Sequence, residues 1–299
     1  MAQNSQNKLH TGFTITLAAV AALMLFIANS AFWFNKYIFD QNNFTSTTSA
    51  ALRQESSREA IATEITGKLL ANRPVLARAA EEPITKIISG ILDSNLATSA
   101  YTRVIDSLHS ISTSPNPQDV TLNLVPVKQV VASVFKAFDI QAGESSVQVQ
   151  DIPNTVTIVQ ASKVPSIYGL GVTLLWVGPL AVVTAIILLA YAIWRARSSW
   201  LNVAKVLAIN SAMIALVGLL ALAVGPIFKP MVLANVQSAN LQVVVGNVYG
   251  AFIDTFNQQT TTWLFGIAIV LLLVACVIWT KRPISRWLNK WQNSKTPAV

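Results

Sequence analysis

His109, with Asp106, Ser107 and Ser110 beside it, supplies the residue types of a hydrolytic triad: a hydroxyl nucleophile, a base and a carboxylate to orient the base. All four fall within one turn and a half of a single expected helix. Asp106 and Ser110 flank one face there and nothing implies an oxyanion site, so a solvated or capping histidine is the expectation. Glu81 and Glu82 are the only adjacent acids. Helix neighbours point about 100° apart, so they make no ready acid and base pair. Their expected place is the amino-terminal turn of a helix entered at Pro83, where negative charge opposes the dipole. Gly169 and Gly171 in "GLGVTLLWVGP" resemble part of a dinucleotide fingerprint, but no strand of a βαβ unit precedes them. The single cysteine, Cys276, precludes an intrachain disulfide, and two histidines make a zinc site of nitrogen and sulfur ligands improbable. No catalytic residue, cofactor or metal is expected.

The elements that would have to position these groups are mostly apolar. Of 299 residues, 53% are hydrophobic and 11% charged, against about 25% charged in soluble domains. Four blocks, residues 12–34, 167–194, 206–227 and 263–279, carry no Asp, Glu, Lys, Arg or His. A hydrocarbon core of about 30 Å needs roughly 20 such residues, so each block reads as a transmembrane helix. Trp33, Trp194, Trp263 and Trp279 stand at block ends, where indoles favour the lipid–water interface. "ANS" at Ala28 to Ser30 has the small residues of a signal cleavage site, but the block outruns a signal core and an uncleaved anchor is preferred. Gly178, Pro179, Gly225 and Pro226 are the expected positions of close helix packing or a hinge. Asn29 and Asn210 are the strongest polar groups within the blocks.

Charge sets an expected direction. With the amino terminus inside, residues 1–11, 195–205 and 280–299 are cytoplasmic and hold nine Lys and Arg and no acid. All thirteen acids and the other twelve basic residues fall in 35–166 and 228–262, the outside segments. In the tail "WTKRPISRWLNKWQNSK", Ile284, Trp287, Leu288 and Trp291 form an apolar stripe beside Lys281, Arg282, Arg286 and Lys290. Lys281, Arg282, Arg286, Trp287, Lys290 and Trp291 are therefore expected at the membrane interface, against anionic lipid and not nucleic acid.

Residues 35–166 are long enough for a domain. Helical spacing runs from Thr48 through Leu52, Ile61, Ile65, Leu69 and Leu70, again through Ile84, Ile88 and Leu92, and a third time through Tyr101, Val104, Ile105, Leu108 and Ile111. Past "STSPNPQ", period-two alternation in "DVTLNL", "SSVQVQ" and "NTVTIVQ" predicts three strands, with a helix over Val127 to Phe138 between the first two. The expected fold class is thus integral membrane and α-helical, with four transmembrane helices and an α+β extracytoplasmic domain in which helices precede a small sheet. Residues 228–262 are expected to pack on that domain or to extend the last transmembrane helix, a re-entrant segment being the sharper alternative.

With "ALRQESSREAIATEITGKLLANRP" and "DVTLNLVPVKQVV" between the first and second blocks, the layout resembles the uncharacterised four-helix integral membrane proteins of Actinobacteria and related Gram-positive bacteria. The resemblance implies a multi-pass protein of the bacterial plasma membrane with both termini cytoplasmic and the main domain exposed. It transfers no functional residue. The expected function is non-enzymatic: an ectodomain that binds or organises an envelope component or membrane complex, as scaffold, assembly factor or sensor. The alternative is a small oligomeric channel or transporter. Partners are the lipid bilayer and another membrane or envelope protein, or a second copy of the chain.

Overall fold

The computed structural model describes residues 2–70, 74–115, 120–123, 155–159, 166–197 and 199–293; for 2–11, 69, 74–80, 95–97, 100, 120–123, 155–159 and 281–293 only the backbone is described. The chain divides into two units, residues 1–38 with 172–299, and residues 39–171.

The first is a membrane unit. It contains α1 (Ala2–Trp33), a π-helical segment from Phe34, α6 (Tyr168–Ala196), α7 (Trp200–Leu222), α8 (Val224–Ala234), α9 (Ala239–Thr260), a second π-helical segment (Thr261–Phe265) and α10 (Gly266–Asn293). Among the described residues, four stretches are long and apolar enough to cross a bilayer: Gly12–Phe39, Tyr168–Ala196, Trp200–Ala234 and Ala239–Thr280. The protein is a multi-pass membrane protein. Helix α7 is central, with α1 and α10 packed along it. Its two ends sit in separate apolar clusters, Ala196, Val203, Val206, Leu207 and Ala275 in one, Ala22, Ile214, Leu264 and Ala268 in the other. Helix α6 buries Ala181, Ala185 and Ala192 and exposes Leu175, Trp176, Leu180, Val183, Ile186 and Ile187. Exposed apolar side chains of this kind on a membrane-crossing helix suit contact with lipid.

Within residues 228–262, α8 and α9 form a helical hairpin that prolongs the spans on either side. Ala239–Thr280 has 42 residues, about 63 Å at a rise of about 1.5 Å and so about twice a hydrocarbon core. Pro226 explains the break before it: lacking an N–H and crowding the carbonyl four residues back, it ends α7 at Leu222 and is tolerated in the first turn of α8. Gly225 is where the hairpin closes. A Cβ there would lie 2.4 Å from Ile253 Cγ2, and the Tyr249 hydroxyl donates to the Gly225 carbonyl at 2.9 Å. Gly225→Val is expected to destabilise the protein by about 1–3 kcal/mol through overpacking, read as a lower unfolding midpoint in detergent; an unchanged midpoint would show that Ile253 simply yields.

The second unit is helical. It holds α2 (Gln41–Leu52), α3 (Glu55–Leu70), α4 (Pro74–Leu92), α5 (Asn95–Thr113) and two strands, β1 (Val120–Asn123) and β2 (Thr155–Val159). The Asp40 carboxylate caps α2 by accepting from Asn43 N at 2.8 Å, so the first helix begins at Gln41, ahead of the expected Thr48. A turn at Arg53 and Gln54 separates it from α3, tied by the Ser57 hydroxyl on the Ala51 carbonyl at 2.8 Å. Pro74, with its φ suited to a first helical position, opens α4, and Pro83 lies inside the helix instead of starting one. Helices α3 and α4 pack through Ala62, Leu70, Ile84 and Ile88, and α2 packs on α5.

The expected α+β domain is not found. Extended backbone among the described residues amounts to a ribbon of four and five residues, pairing Leu122 with Val156 and Asn123 with Thr155 in antiparallel register. Two short strands make no layer on which helices could pack, because independent sheets need about three strands and an apolar face. Alternation over five residues marks extended backbone but says nothing of how many partners it will find. The expected helix over Val127 to Phe138 and the strand in "SSVQVQ" lie outside the described residues.

Candidate functional site

The triad types do not assemble. His109 is 6% exposed and lies against Phe44 at 5.0 Å between ring centroids, the rings tilted by 40°, with the Thr113 hydroxyl 3.4 Å from Nδ1. Asp106 turns to α2, accepting from the Thr45 hydroxyl at 2.5 Å, and Ser107 donates back to the Arg103 carbonyl at 2.7 Å. His109 and Asp106 are thus two separate pins between α2 and α5. Gly169 and Gly171 lie in helix α6, and a Cβ on Gly171 would press 2.8 Å from the Phe39 ring. That is helix packing, with no phosphate-binding turn.

One concave surface stands out in the helical unit. An open groove of about 590 Å³ runs over α3 and α4, lined by Glu59, Thr63, Glu81, Glu82, Thr85, Lys86 and Ser89. The pair Glu81 and Glu82 is here, in the middle of α4 and not at a helix start, which corrects the dipole role expected of it. Glu82 accepts from Lys86 Nζ at 2.8 Å. That hydrogen bond, with the charge of the partner, holds the Glu82 carboxyl below its ordinary range and raises the Lys86 ammonium. Beneath the groove the Thr85 hydroxyl donates to Thr66 at 3.1 Å, Thr66 being fully buried. Three carboxylates and one ammonium give the groove a net negative edge. Among the described residues no group of His, Cys, Asp and Glu is placed to hold a metal ion.

Arg58 anchors the same helix pair by an ion pair to Asp93 at the end of α4. Tyr101 on α5 lies near it with a buried hydroxyl that has no hydrogen-bond partner among the described residues. Burial pushes this phenol up to about 12 although Arg58 pulls it down. An ordinary tyrosine titrates near 10, so the folded state holds its proton longer than the unfolded one. The associated stability is complete below about pH 10 and is lost as pH rises towards about 12. Tyr101→Phe should flatten the stability profile over that window and leave neutral-pH stability unchanged or slightly higher, because it deletes an unpaired hydroxyl. Denaturant unfolding of both forms from neutral to alkaline pH checks this; parallel profiles would contradict it.

The membrane unit has a different kind of site, a buried polar latch between α1 and α9. Asn29, 2% exposed, donates from Nδ2 to the Thr260 hydroxyl at 2.9 Å, and Thr260 is fully buried. Gln259 Nε2 donates to the Asn29 carbonyl at 2.9 Å and reaches its Oδ1 at 3.2 Å. One turn further along α1, Trp33 Nε1 donates to the Thr255 hydroxyl at 2.9 Å, and Phe34, Tyr37, Phe252 and Phe256 surround its ring. Trp33 is 7% exposed, so it is a core anchor and not the interfacial residue its block-end position suggests. Trp194, Trp263 and Trp279 are exposed as expected of a belt.

The π-helical segment at Thr261–Phe265 keeps this face aligned. Phe252, Phe256, Thr260, Leu264 and Ala268 are all buried, at intervals of four residues. In a pure α-helix such a stripe drifts about 40° per interval, about 160° over four, and one inserted π-type residue removes about 100° of that. The sequence carries this signal as a spacing of four through "FNQQTTTWLF", apart from the charge-free block that marks the span. Asn210, by contrast, donates to the Val206 carbonyl of its own helix at 2.8 Å, while its neighbour Ser211 bonds the Ala268 carbonyl at 2.7 Å.

Gly178 and Pro179 lie within α6, where a Cβ on Gly178 would meet the Phe32 ring at 3.1 Å. This is tight packing of α6 on α1. The backbone of Lys281, Arg282, Arg286, Trp287, Lys290 and Trp291 is helical and continues α10, so the tail is no separate helix. No family model matches the chain, and no curated protein or solved structure matches it.

Proposed function

We propose that this is a non-enzymatic protein of the bacterial plasma membrane whose helical unit, residues 39–171, binds or organises another envelope component. The groove over α3 and α4 carries the proposal: it joins a concave surface to an acidic edge, on a unit linked at both ends to membrane helices. Such a groove suits a basic segment of a partner. The charge count supports a cytoplasmic location for both termini and an extracytoplasmic one for the helical unit, and the resemblance to actinobacterial four-helix membrane proteins agrees with that placement.

A channel or transporter is less favoured. Asn29, Thr260 and Gln259 satisfy one another across helices, and Asn210 bonds its own helix, so these groups act as glue instead of lining a path. The test is crosslinking and copurification in mild detergent from cells carrying wild type or Glu59→Lys with Glu82→Lys. Loss of one copurifying component from the charge-reversed protein, at unchanged abundance and melting behaviour, is the expected result. Identical recovery of every component would remove the groove from the interface.

A further inference from the structure

Exposed indoles mark two levels of the membrane unit. Trp263 lies 5.9 Å from Phe32 between ring centroids, and a Cβ on Gly178 would meet that Phe32 ring at 3.1 Å. Trp263 and Trp176, the latter two residues from Gly178, therefore share one level, and both are exposed. Leu264, next to Trp263, would lie 3.6 Å from a Cβ on Gly218, which puts the same level near Leu219 on α7. Trp279, Trp194 and Trp200 mark the other level on the same three helices, and all are exposed. They stand 16, 18 and 19 residues from Trp263, Trp176 and Leu219, about 24, 27 and 29 Å at the helical rise. These spacings are close to a hydrocarbon core of about 30 Å, as an aromatic belt at each face requires. Helix α7 therefore leaves the hydrocarbon near Leu219, and α8 runs on beyond it.

One face of α7 and α8 crosses that boundary without changing character. Leu216, Leu220, Ala223, Ile227, Met231 and Ala234 are all exposed and recur in steps of four and three, so they form one stripe. Ile227 is 60% and Met231 62% exposed. They lie about 12 and 18 Å past Leu219 along the helix, farther than the roughly 5–8 Å that headgroups add on each side, so lipid covers Leu216 and does not reach them. Lys229, the single charge of α8, stands about 200° round the helix from Ile227. Its Cε reaches to 4.0 Å from a Cβ placed on Gly246 of α9, so the stripe itself carries no charge. Whatever covers the stripe must cross the bilayer and stay apolar at the same heights for about 18 Å past it. A second copy of the chain meets both demands. A two-fold axis along the membrane normal keeps every residue at its own height and sets each stripe residue against its counterpart.

We propose that this stripe is a homodimer seam, half in lipid and half in water, on which two copies pair through α7 and α8. The seam is independent of what the groove on the helical unit binds. Full-length protein with Cys276→Ala, which silences the native thiol, carries Ile227→Cys, Met231→Cys or Lys229→Cys and is treated in native membranes with a short bismaleimide. With packed helices about 8–10 Å apart, Ile227→Cys and Met231→Cys should give a covalent species of twice the chain mass, about tenfold more than Lys229→Cys. In proteoliposomes, photobleaching of protein carrying one label per chain should show two steps. Ile227→Asp with Met231→Asp should shift this to one step at an unchanged melting midpoint, because each aspartate is hydrated in the monomer and buried unpaired in the dimer. Single-step bleaching of the wild type, equal crosslinking through Lys229→Cys, or an aspartate pair that leaves the two-step fraction unaltered would overturn the seam. So would Ile227→Cys adducts at a mass other than twice the chain, which would name a different protein as the occupant.

Discussion

Trp33→Ala should lower the unfolding free energy of the membrane unit by about 3–5 kcal/mol, the usual range for deleting a buried indole. Four rings lie within 6.5 Å of its centroid and its N–H is bonded to Thr255, so the substitution empties an aromatic cluster and removes a hydrogen bond between α1 and α9 together. Trp33→Phe would restore most of the volume without the N–H, and should recover more than half of the loss. Unfolding in mixed detergent micelles, followed by circular dichroism, measures both. If Trp33 were an interfacial anchor like Trp263, which is half exposed, alanine there would lower stability far less and phenylalanine would make little difference.

The second large effect is expected at Asn29. Asn29→Leu leaves the buried Thr260 hydroxyl without its donor, at about 1–3 kcal/mol, while Gln259 keeps its 2.9 Å bond to the main-chain carbonyl of residue 29. Interhelical hydrogen bonds in membranes often contribute only about 0.6 kcal/mol because the alternative state also finds partners. Here that escape is narrow, since Thr260 is fully buried between packed helices. Adding Thr260→Val should therefore regain part of the loss, because an apolar pair of similar shape leaves nothing unsatisfied. A double variant as unstable as the sum of the two single ones would mean that the hydrogen bond is not the unit of stability there.

The four spans were legible in the sequence because each depends on a property summed over many residues. Twenty apolar side chains in a row have one physical solution, whatever their neighbours do. The helices of residues 39–113 were legible too, as apolar stripes at helical spacing, although the caps moved: Asp40 outcompeted Thr48, and Pro74 rather than Pro83 opened α4. The sheet was misread because alternation over five residues reports a local backbone preference, while a sheet layer is a property of how many strands meet.

What only the tertiary structure decided concerns pairs distant in the chain. Asn29 and Thr260 are 231 residues apart and Trp33 and Thr255 are 222 apart, so no window of sequence could join them. The groove likewise needed α3 and α4 to pack before Glu59 could face Glu81 and Glu82. From the sequence, Arg195 and Arg197 were two more charges in a cytoplasmic count; the fold laid each on an aromatic ring. The sequence by itself determined that this chain crosses a membrane, because partition into lipid depends on composition along one segment. Which polar groups meet across the bundle depended on packing between segments that composition does not encode.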